Sequence, residues 1–168
     1  VVYTPETWDV LAPIIGPDLD DSTMYERALK VARNEAVALP GDCVAYADCS
    51  DWVTFSWFNA GTSLTALGRH QDAAAAYDRS RQLGLHFRML WYQFGPYESY
   101  YQTGRFEDVI TLADATSDQA FTHTAKGNFG GRARLALGDV DDARSDFRTA
   151  LRHHEGWEPA VEALESLG

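Results

Sequence analysis

The sequence predicts an all-α fold built from successive helical hairpins. The first indication is a glycine-centred turn that recurs at Gly68, Gly104 and Gly138, at separations of 36 and 34 residues. The second is the spacing of small and apolar residues after each turn, four positions and then three, which puts them on one face of a helix. Each glycine is expected to end the first helix of a hairpin, because glycine adopts the left-handed conformation at little cost.

The second helix of each predicted hairpin carries a repeated set of residues on its buried face. These residues are Ala73, Tyr77 and Ser80, then Val109, Ala113 and Thr116, then Ala143, Phe147 and Ala150. In the first hairpin, the helix before the turn carries Trp57 and, four positions later, Gly61. A residue without a side chain at this point is expected to let the two helices approach closely.

A large aromatic, a small residue four positions later, the turn glycine and the repeated face of the next helix together resemble the tetratricopeptide-repeat family, whose period is about 34 residues. The resemblance covers about residues 52–167. It implies a right-handed α-solenoid of about three helical hairpins. The implied units are 52–87, 88–121 and 122–157.

Two segments depart from the pattern of that family. Tyr97 is bulky where the family usually has a small residue, and Pro96 before it is expected to bend the helix. In the third unit, residues 126–131 include three glycines, which is too many for a stable regular helix. We expect this segment to be mobile, irregular or adapted to a contact.

The two ends of the chain are expected to act as adapters. Residues 1–51 should hold one or two helices, one starting after Thr4 and one from Met24 to about Glu35, followed by a loop with two cysteines. Residues 158–168 should form an amphipathic capping helix. Solenoids need such caps because a terminal repeat would otherwise expose its stacking face.

The two cysteines, Cys43 and Cys49, lie six positions apart in a stretch that begins with turn-forming residues. This spacing favours a local disulfide over free thiols or a metal site, for which further ligands at the right spacing are missing. A disulfide would form in an oxidising compartment, so we expect an extracellular or cell-surface location.

A narrower resemblance concerns repeat regions that accompany C39-like peptidase domains in some bacteria. It rests on four segments, Tyr3–Trp8, Ile15–Asp18, Trp57–Gly61 and Met89–Tyr97. It implies an accessory domain. The catalytic Cys and His of such a peptidase would lie outside this chain, since no residue here matches that motif.

The charge and hydropathy of the chain argue against two kinds of partner. The formal net charge is -11 and the sequence pI is about 4.7. An acidic surface repels phosphate groups, so we do not expect nucleic acid as a partner. No run approaches the roughly 18 apolar residues of a transmembrane helix, so we do not expect membrane insertion.

No segment of the sequence predicts a catalytic, metal or cofactor site. Cys43 and Cys49 have no neighbouring His that could activate a thiolate. His153 and His154 are adjacent and would point about 100° apart on a helix, which is unsuited to sharing one ion. The glycine-rich residues 126–131 fit neither the P-loop nor the dinucleotide pattern. We therefore expect a non-enzyme without metal or cofactor.

The segment 91–101 holds six aromatic residues in eleven positions, more than one buried helix face can use. The tetratricopeptide resemblance implies that such residues line a concave groove with an aromatic floor. The implied groove residues are Phe55, Phe58, Thr62, Trp91, Phe94, Glu98, Tyr101, Asn128 and Arg132. The alternative is a core that is simply rich in aromatics. The carboxylate-clamp pattern of the family is mostly absent, since Phe58 and Thr62 occupy the clamp positions of the first unit.

These features favour a non-catalytic interaction module of a secreted or surface bacterial protein. It would bind a peptide, or a neighbouring domain, in the groove. The main alternative is a structural subunit that assembles with further copies of itself into an extracellular filament, because a solenoid has open ends. A third alternative is a part of an enzyme whose catalytic domain lies outside this chain.

Overall fold

The computed structural model describes Glu26, residues 28–30, Ala32, and residues 47–86, 89–116 and 126–168. Within these ranges the regular structure consists of eight α-helices and one π-helical segment, and it includes no β-strand. The predicted all-α class is therefore confirmed.

The helices are numbered in chain order. Their bounds are α1 Ala47–Ala66, α2 His70–Gln82, α3 Met89–Tyr92, α4 Gly95–Gln102, α5 Phe106–Thr116, the π-helical segment Lys126–Gly130, α6 Gly131–Ala136, α7 Val140–His153 and α8 Glu158–Ser166. The chain forms two compact units, Val1–Leu85 and His86–Gly168.

The first unit contains the hairpin α1–α2, in which a glycine of α1 faces an aromatic ring of α2. A Cβ atom added to Gly61 would lie 2.6 Å from the ring of Tyr77, closer than carbon atoms pack. Tyr77 is fully buried, and its ring meets that of Phe58 edge-on with centroids 5.2 Å apart. The close approach expected at Gly61 is confirmed, because any side chain there would displace the ring.

The three glycine turns share one hydrogen-bonding pattern. Gly68, Gly104 and Gly138 have φ values of 70°, 73° and 87°, in the region that other residues avoid. At the first turn, the amides of Gly68 and Arg69 donate back to carbonyls in the last turn of α1, at 2.9 and 2.8 Å. The other two turns repeat this pair of bonds. The pair is the Schellman helix stop, so each glycine ends a helix as predicted.

The repeated faces of the second helices α2, α5 and α7 are buried along their whole length. All nine residues that the four-then-three spacing selected are between 0 and 3% exposed. The spacing therefore identified the core-facing side of these three helices correctly.

In the second unit, the first helix of the predicted repeat is interrupted. Helix α3 ends at Tyr92 and α4 begins at Gly95, with Pro96 in its first turn. A proline ring clashes with the carbonyl four positions earlier in a continuous helix, and that residue is Tyr92. Pro96 therefore separates two helices, which is a larger effect than the bend expected from the sequence.

The glycine-rich segment Lys126–Gly130 is helical but wound as a π-helix that continues into α6. Its glycines allow contact with the neighbouring helices. A Cβ atom added to Gly127 would collide with the Cβ atom of Ala150, and one added to Gly131 would lie 2.8 Å from the ring of Phe147. Of the three alternatives left open by the sequence, the segment is thus irregular and adapted to a contact.

The second hairpin exchanges the sizes of its two paired residues. Tyr97 and Ala113 occupy the positions that are glycine and aromatic in the other two hairpins, and both are fully buried. The Tyr97 hydroxyl lies 2.8 Å from the hydroxyl of Thr116, and its ring stacks on Phe129 with centroids 5.6 Å apart. The first helix of this hairpin carries the large residue and the second helix the small one. This exchange of sizes explains why a bulky residue is tolerated at position 97.

Two ion pairs of Arg134 join α6 to both of its neighbours in the second unit. Arg134 donates to the buried Asp146 on α7 and, at 2.8 Å, to the exposed Asp114 on α5. Burial lowers the pKa of Arg134, but the two carboxylates outweigh it and raise that pKa above its ordinary value. Asp146 is only 7% exposed, so loss of the arginine would remove a charged partner from a buried carboxylate.

Some predictions fall outside the described residues. Within the expected helix from Met24 to Glu35, the described positions are helical, and Leu29 and Ala32 are buried. Cys43 lies outside the described residues and only the helical backbone of Cys49 is described, so the disulfide and the location inferred from it stay predictions. The helices in the described ranges include none that is long and apolar enough to span a membrane.

We expect Arg134→Gln to lower the free energy of unfolding by about 3 kcal/mol, because it removes one partner of a buried ion pair. Arg148→Gln is the matched control. Arg148 lies on α7, is exposed and takes part in no ion pair among the described residues, so the change should alter the free energy by less than about 0.5 kcal/mol. Urea unfolding followed by circular dichroism measures both variants. Equal losses at the two positions would contradict the role of the ion pair.

Candidate functional site

The second unit contains a pocket of about 570 Å³, which we call the second-unit pocket. It is bounded by α4, the π-helical segment, α6, α7 and α8. Its lining residues are Tyr101, Asn128, Arg132, Leu135, Ala136, Phe147, Pro159, Glu162, Ala163 and Ser166. A volume of this size is within the range of about 300–1,000 Å³ typical of ligand sites.

Three of the predicted groove residues meet at the second-unit pocket. Tyr101 comes from α4, Asn128 from the π-helical segment and Arg132 from α6. In the sequence, helix α5 lies between Tyr101 and the other two residues, so the fold brings the three to one site. Whether this site binds a partner stays a prediction.

The side chain of Arg132 is positioned by an aromatic ring. Its Cζ atom lies 4.5 Å from the centroid of the Tyr101 ring, and that ring meets Phe106 edge-on with centroids 5.4 Å apart. A guanidinium stacks readily on an aromatic face because its charge is delocalised and weakly hydrated. Among the described residues, no carboxylate forms an ion pair with Arg132, in contrast to Arg134 on the same helix. Arg132 thus brings an uncompensated positive charge to the pocket.

Helix α8 forms one wall of the pocket and is anchored to α7. Pro159 occupies its first turn, where the missing amide hydrogen costs nothing. Ala160 is fully buried and Leu164 packs beside it against the apolar face of α7. At the far end of α8, Arg144 donates to the carbonyl of Leu167 at 3.1 Å. These contacts satisfy a free helix-end carbonyl and fix the position of the wall.

Glu162 and Ser166 line the pocket from α8 but are not among the predicted groove residues. The repeat nevertheless carries a signal for them. Glu162 follows Asn128 by 34 residues, and Ser166 follows Arg132 by 34 residues. A capping helix is expected to cover a surface, whereas α8 also contributes to the groove.

The pocket combines an apolar base with two opposite charges. Leu135, Ala136 and Ala163 contribute apolar surface, and the buried Phe147 lies behind them. The charged residues of the lining are Arg132 and Glu162. No ion pair joins them within the described ranges. Such a site can hold an apolar group while it binds polar groups of both signs.

Two further predicted groove residues lie on α4 or just before it, and neither lines the pocket. Phe94 is 42% exposed and stacks against Phe129 with ring centroids 6.2 Å apart. Glu98 is half-buried and accepts a hydrogen bond from the side chain of Gln102 at 2.6 Å. Phe94 is therefore an open aromatic surface. The side chain of Trp91 lies outside the described residues.

The remaining predicted groove residues belong to α1 in the first unit. Phe55 and Thr62 are half-buried, whereas Phe58 is 2% exposed and packs on Tyr77. Phe58 thus contributes to the interior of the hairpin and not to an accessible surface, because its ring fills space beside Tyr77. Thr62 accepts a hydrogen bond from the Tyr77 hydroxyl at 3.4 Å. Its hydroxyl is already used inside the hairpin.

The hydroxyl of Tyr77 also lies 3.2 Å from that of Thr65, so two threonines of α1 hold it. Burial raises the pKa of Tyr77 above its ordinary value, and the two threonine hydrogen bonds only partly oppose this. The folded protein therefore favours the neutral phenol. The resulting stabilisation is fully present below about pH 10, where the unfolded chain is neutral too, and is lost as the pH rises towards the folded pKa.

We expect Tyr77→Phe to cost about 1 kcal/mol at pH 8, the usual net value of a buried hydrogen bond. At pH 11 the free energy of unfolding of the wild type should fall by about 1 kcal/mol relative to that of the variant. The reason is that ionisation of the exposed phenol then stabilises the unfolded state of the wild type. Urea unfolding of both proteins at the two pH values gives the difference. A stability difference that is the same at pH 8 and pH 11 would contradict the raised pKa.

The described residues include no group of three or more His, Cys, Asp or Glu side chains arranged to hold a metal ion. Comparison with protein-family models, with curated proteins and with solved structures finds no match to this chain.

Proposed function

We propose that this chain is a non-catalytic interaction module of the tetratricopeptide type, with three helical hairpins in a right-handed α-solenoid. Its second-unit pocket would bind an extended peptide segment of a protein partner. The proposal includes α8 as a working part of the binding surface and not only as a cap.

The observation that carries the proposal is the common register of the pocket residues. Asn128 and Glu162 are one repeat apart, as are Arg132 and Ser166, and all four line the same pocket. In a repeat protein, equivalent positions of successive units form a continuous surface, which suits an extended ligand. A pocket formed only by accidental packing would not be expected to follow the repeat.

The chemistry of the pocket supports a peptide as its ligand. Tyr101 and Arg132 are residue types that contribute most to protein interfaces, because they bury much area or form directed hydrogen bonds. The amide of Asn128 can pair with a peptide backbone. The hydroxyl of Ser166 donates to the carbonyl of Ala163 at 2.7 Å and can still accept a hydrogen bond from a peptide amide. The apolar base would take one side chain of the ligand.

The test uses random dodecapeptides displayed on phage and selected on the immobilised protein. Ser166→Trp should weaken the selected peptides by at least tenfold, about 1.4 kcal/mol, because an indole would occupy the pocket. Glu165→Trp is the matched control, since Glu165 is exposed, adjacent and not part of the lining. Fluorescence anisotropy measures the affinities, and circular dichroism verifies equal helical content.

Selected peptides that bind Ser166→Trp as tightly as the wild type would show that the pocket is not the binding site. A selection that yields no binding peptide would contradict the proposed function itself.

A further inference from the structure

The second-unit pocket holds one positive and one negative side chain that are not paired with each other. Arg132 is held on the ring of Tyr101, and Glu162 projects from a different helix, α8. Among the described residues, neither of the two takes part in an ion pair. Charges that a pocket leaves uncompensated are available to a ligand, and they are costly to cover with an apolar one.

The described arginines of the second unit fall into two groups. Arg105, Arg134 and Arg144 each pair with a carboxylate. The arginines outside the ion pairs of the described residues are Arg132, Arg148 and Arg152. Of these three, only Arg132 lines the pocket, where its guanidinium stacks on the ring of Tyr101.

We propose that the second-unit pocket selects a peptide segment carrying an acidic and a basic side chain around an apolar one, with Arg132 pairing with the acid and Glu162 with the base. The inference rests on the proposed function and specifies the ligand for it. The apolar residue would lie against Leu135, Ala136 and Ala163.

The net charge of the domain explains why a ligand of mixed charge suits the pocket better than a ligand of one sign. A purely acidic segment would pair with Arg132 but would be repelled by the acidic surface around it. A purely basic segment would be attracted at long range, yet it would cover Arg132 with a like charge. A segment with one charge of each sign pairs both side chains and adds no net charge.

The test uses synthetic fluorescein-labelled dodecapeptides with a central pair of leucines in a glycine–serine frame. The leucines are flanked by glutamate and lysine, by glutamate and glutamine, by glutamine and lysine, or by two glutamines. Each charged combination is made in both orders. Fluorescence anisotropy at low ionic strength gives the affinity of every peptide for the wild type and for two variants, Arg132→Gln and Glu162→Gln.

The glutamate–lysine peptide, in one of its two orders, should bind about fivefold tighter than the glutamine peptide, as expected for partly exposed ion pairs. Arg132→Gln should remove only the preference for glutamate, and Glu162→Gln only the preference for lysine. Arg148→Gln and Glu165→Gln are matched controls that remove one base and one acid outside the pocket, and they should preserve both preferences.

Three other results would contradict the charge selection, the role of Glu162 or the proposed function itself. If all peptides bind alike and Ser166→Trp abolishes that binding, the pocket binds peptides but charge selection is wrong. If the acidic peptide without lysine binds tightest, the assigned role of Glu162 is wrong. If no peptide binds up to about 1 mM, the weak end of specific affinity, both the selection and the proposed function fail.

Discussion

In the hairpins α1–α2 and α6–α7, the distance between the two helices depends on one contact, in which a position without a side chain receives an aromatic ring. Gly61 receives Tyr77 in the first unit, and Gly131 receives Phe147 in the second. In both hairpins the left-handed turn glycine follows seven residues later, two turns along the same helix. The ring therefore sets how closely the helices pack, and the turn sets where the first one ends. The two constraints agree, so packing and chain reversal favour the same structure.

The second-unit pocket depends on the same contact. Phe147 packs against Gly131 and is also one of the residues that line the pocket. The two arginines of α6 have different partners, because Arg134 pairs with Asp146 and Asp114 whereas Arg132 stacks on the ring of Tyr101. A single short helix thus supplies both an internal ion pair and a charge at the surface. The stability of the hairpin and the chemistry of the site are determined by adjacent residues.

The features that the sequence predicted are those governed by local rules. The turn glycines and the buried faces follow from φ preferences and helical periodicity, and the structure confirms both. The sequence predicted a bend at Pro96, whereas the structure has a break between α3 and α4. The size of this effect depends on the clash of the proline ring with a carbonyl four residues earlier. The inward position of Phe58 and the contribution of Glu162 depend on contacts between helices, which periodicity alone does not specify. The groove was therefore predicted in part, with Tyr101, Asn128 and Arg132 meeting at one pocket and its α8 wall missed.

The coupling energy between Gly61 and Tyr77 measures how strongly the first hairpin depends on this contact. Urea unfolding is measured for the wild type, Gly61→Ala, Tyr77→Leu and the double variant. We expect Gly61→Ala to destabilise the wild type by about 1–3 kcal/mol, because the new methyl group clashes with the ring. With leucine at position 77 this cost should fall by more than about 1 kcal/mol, since the ring is gone. Effects that add within about 0.5 kcal/mol, or a Gly61→Ala variant that gains the stability usual for alanine in a helix, would contradict this dependence.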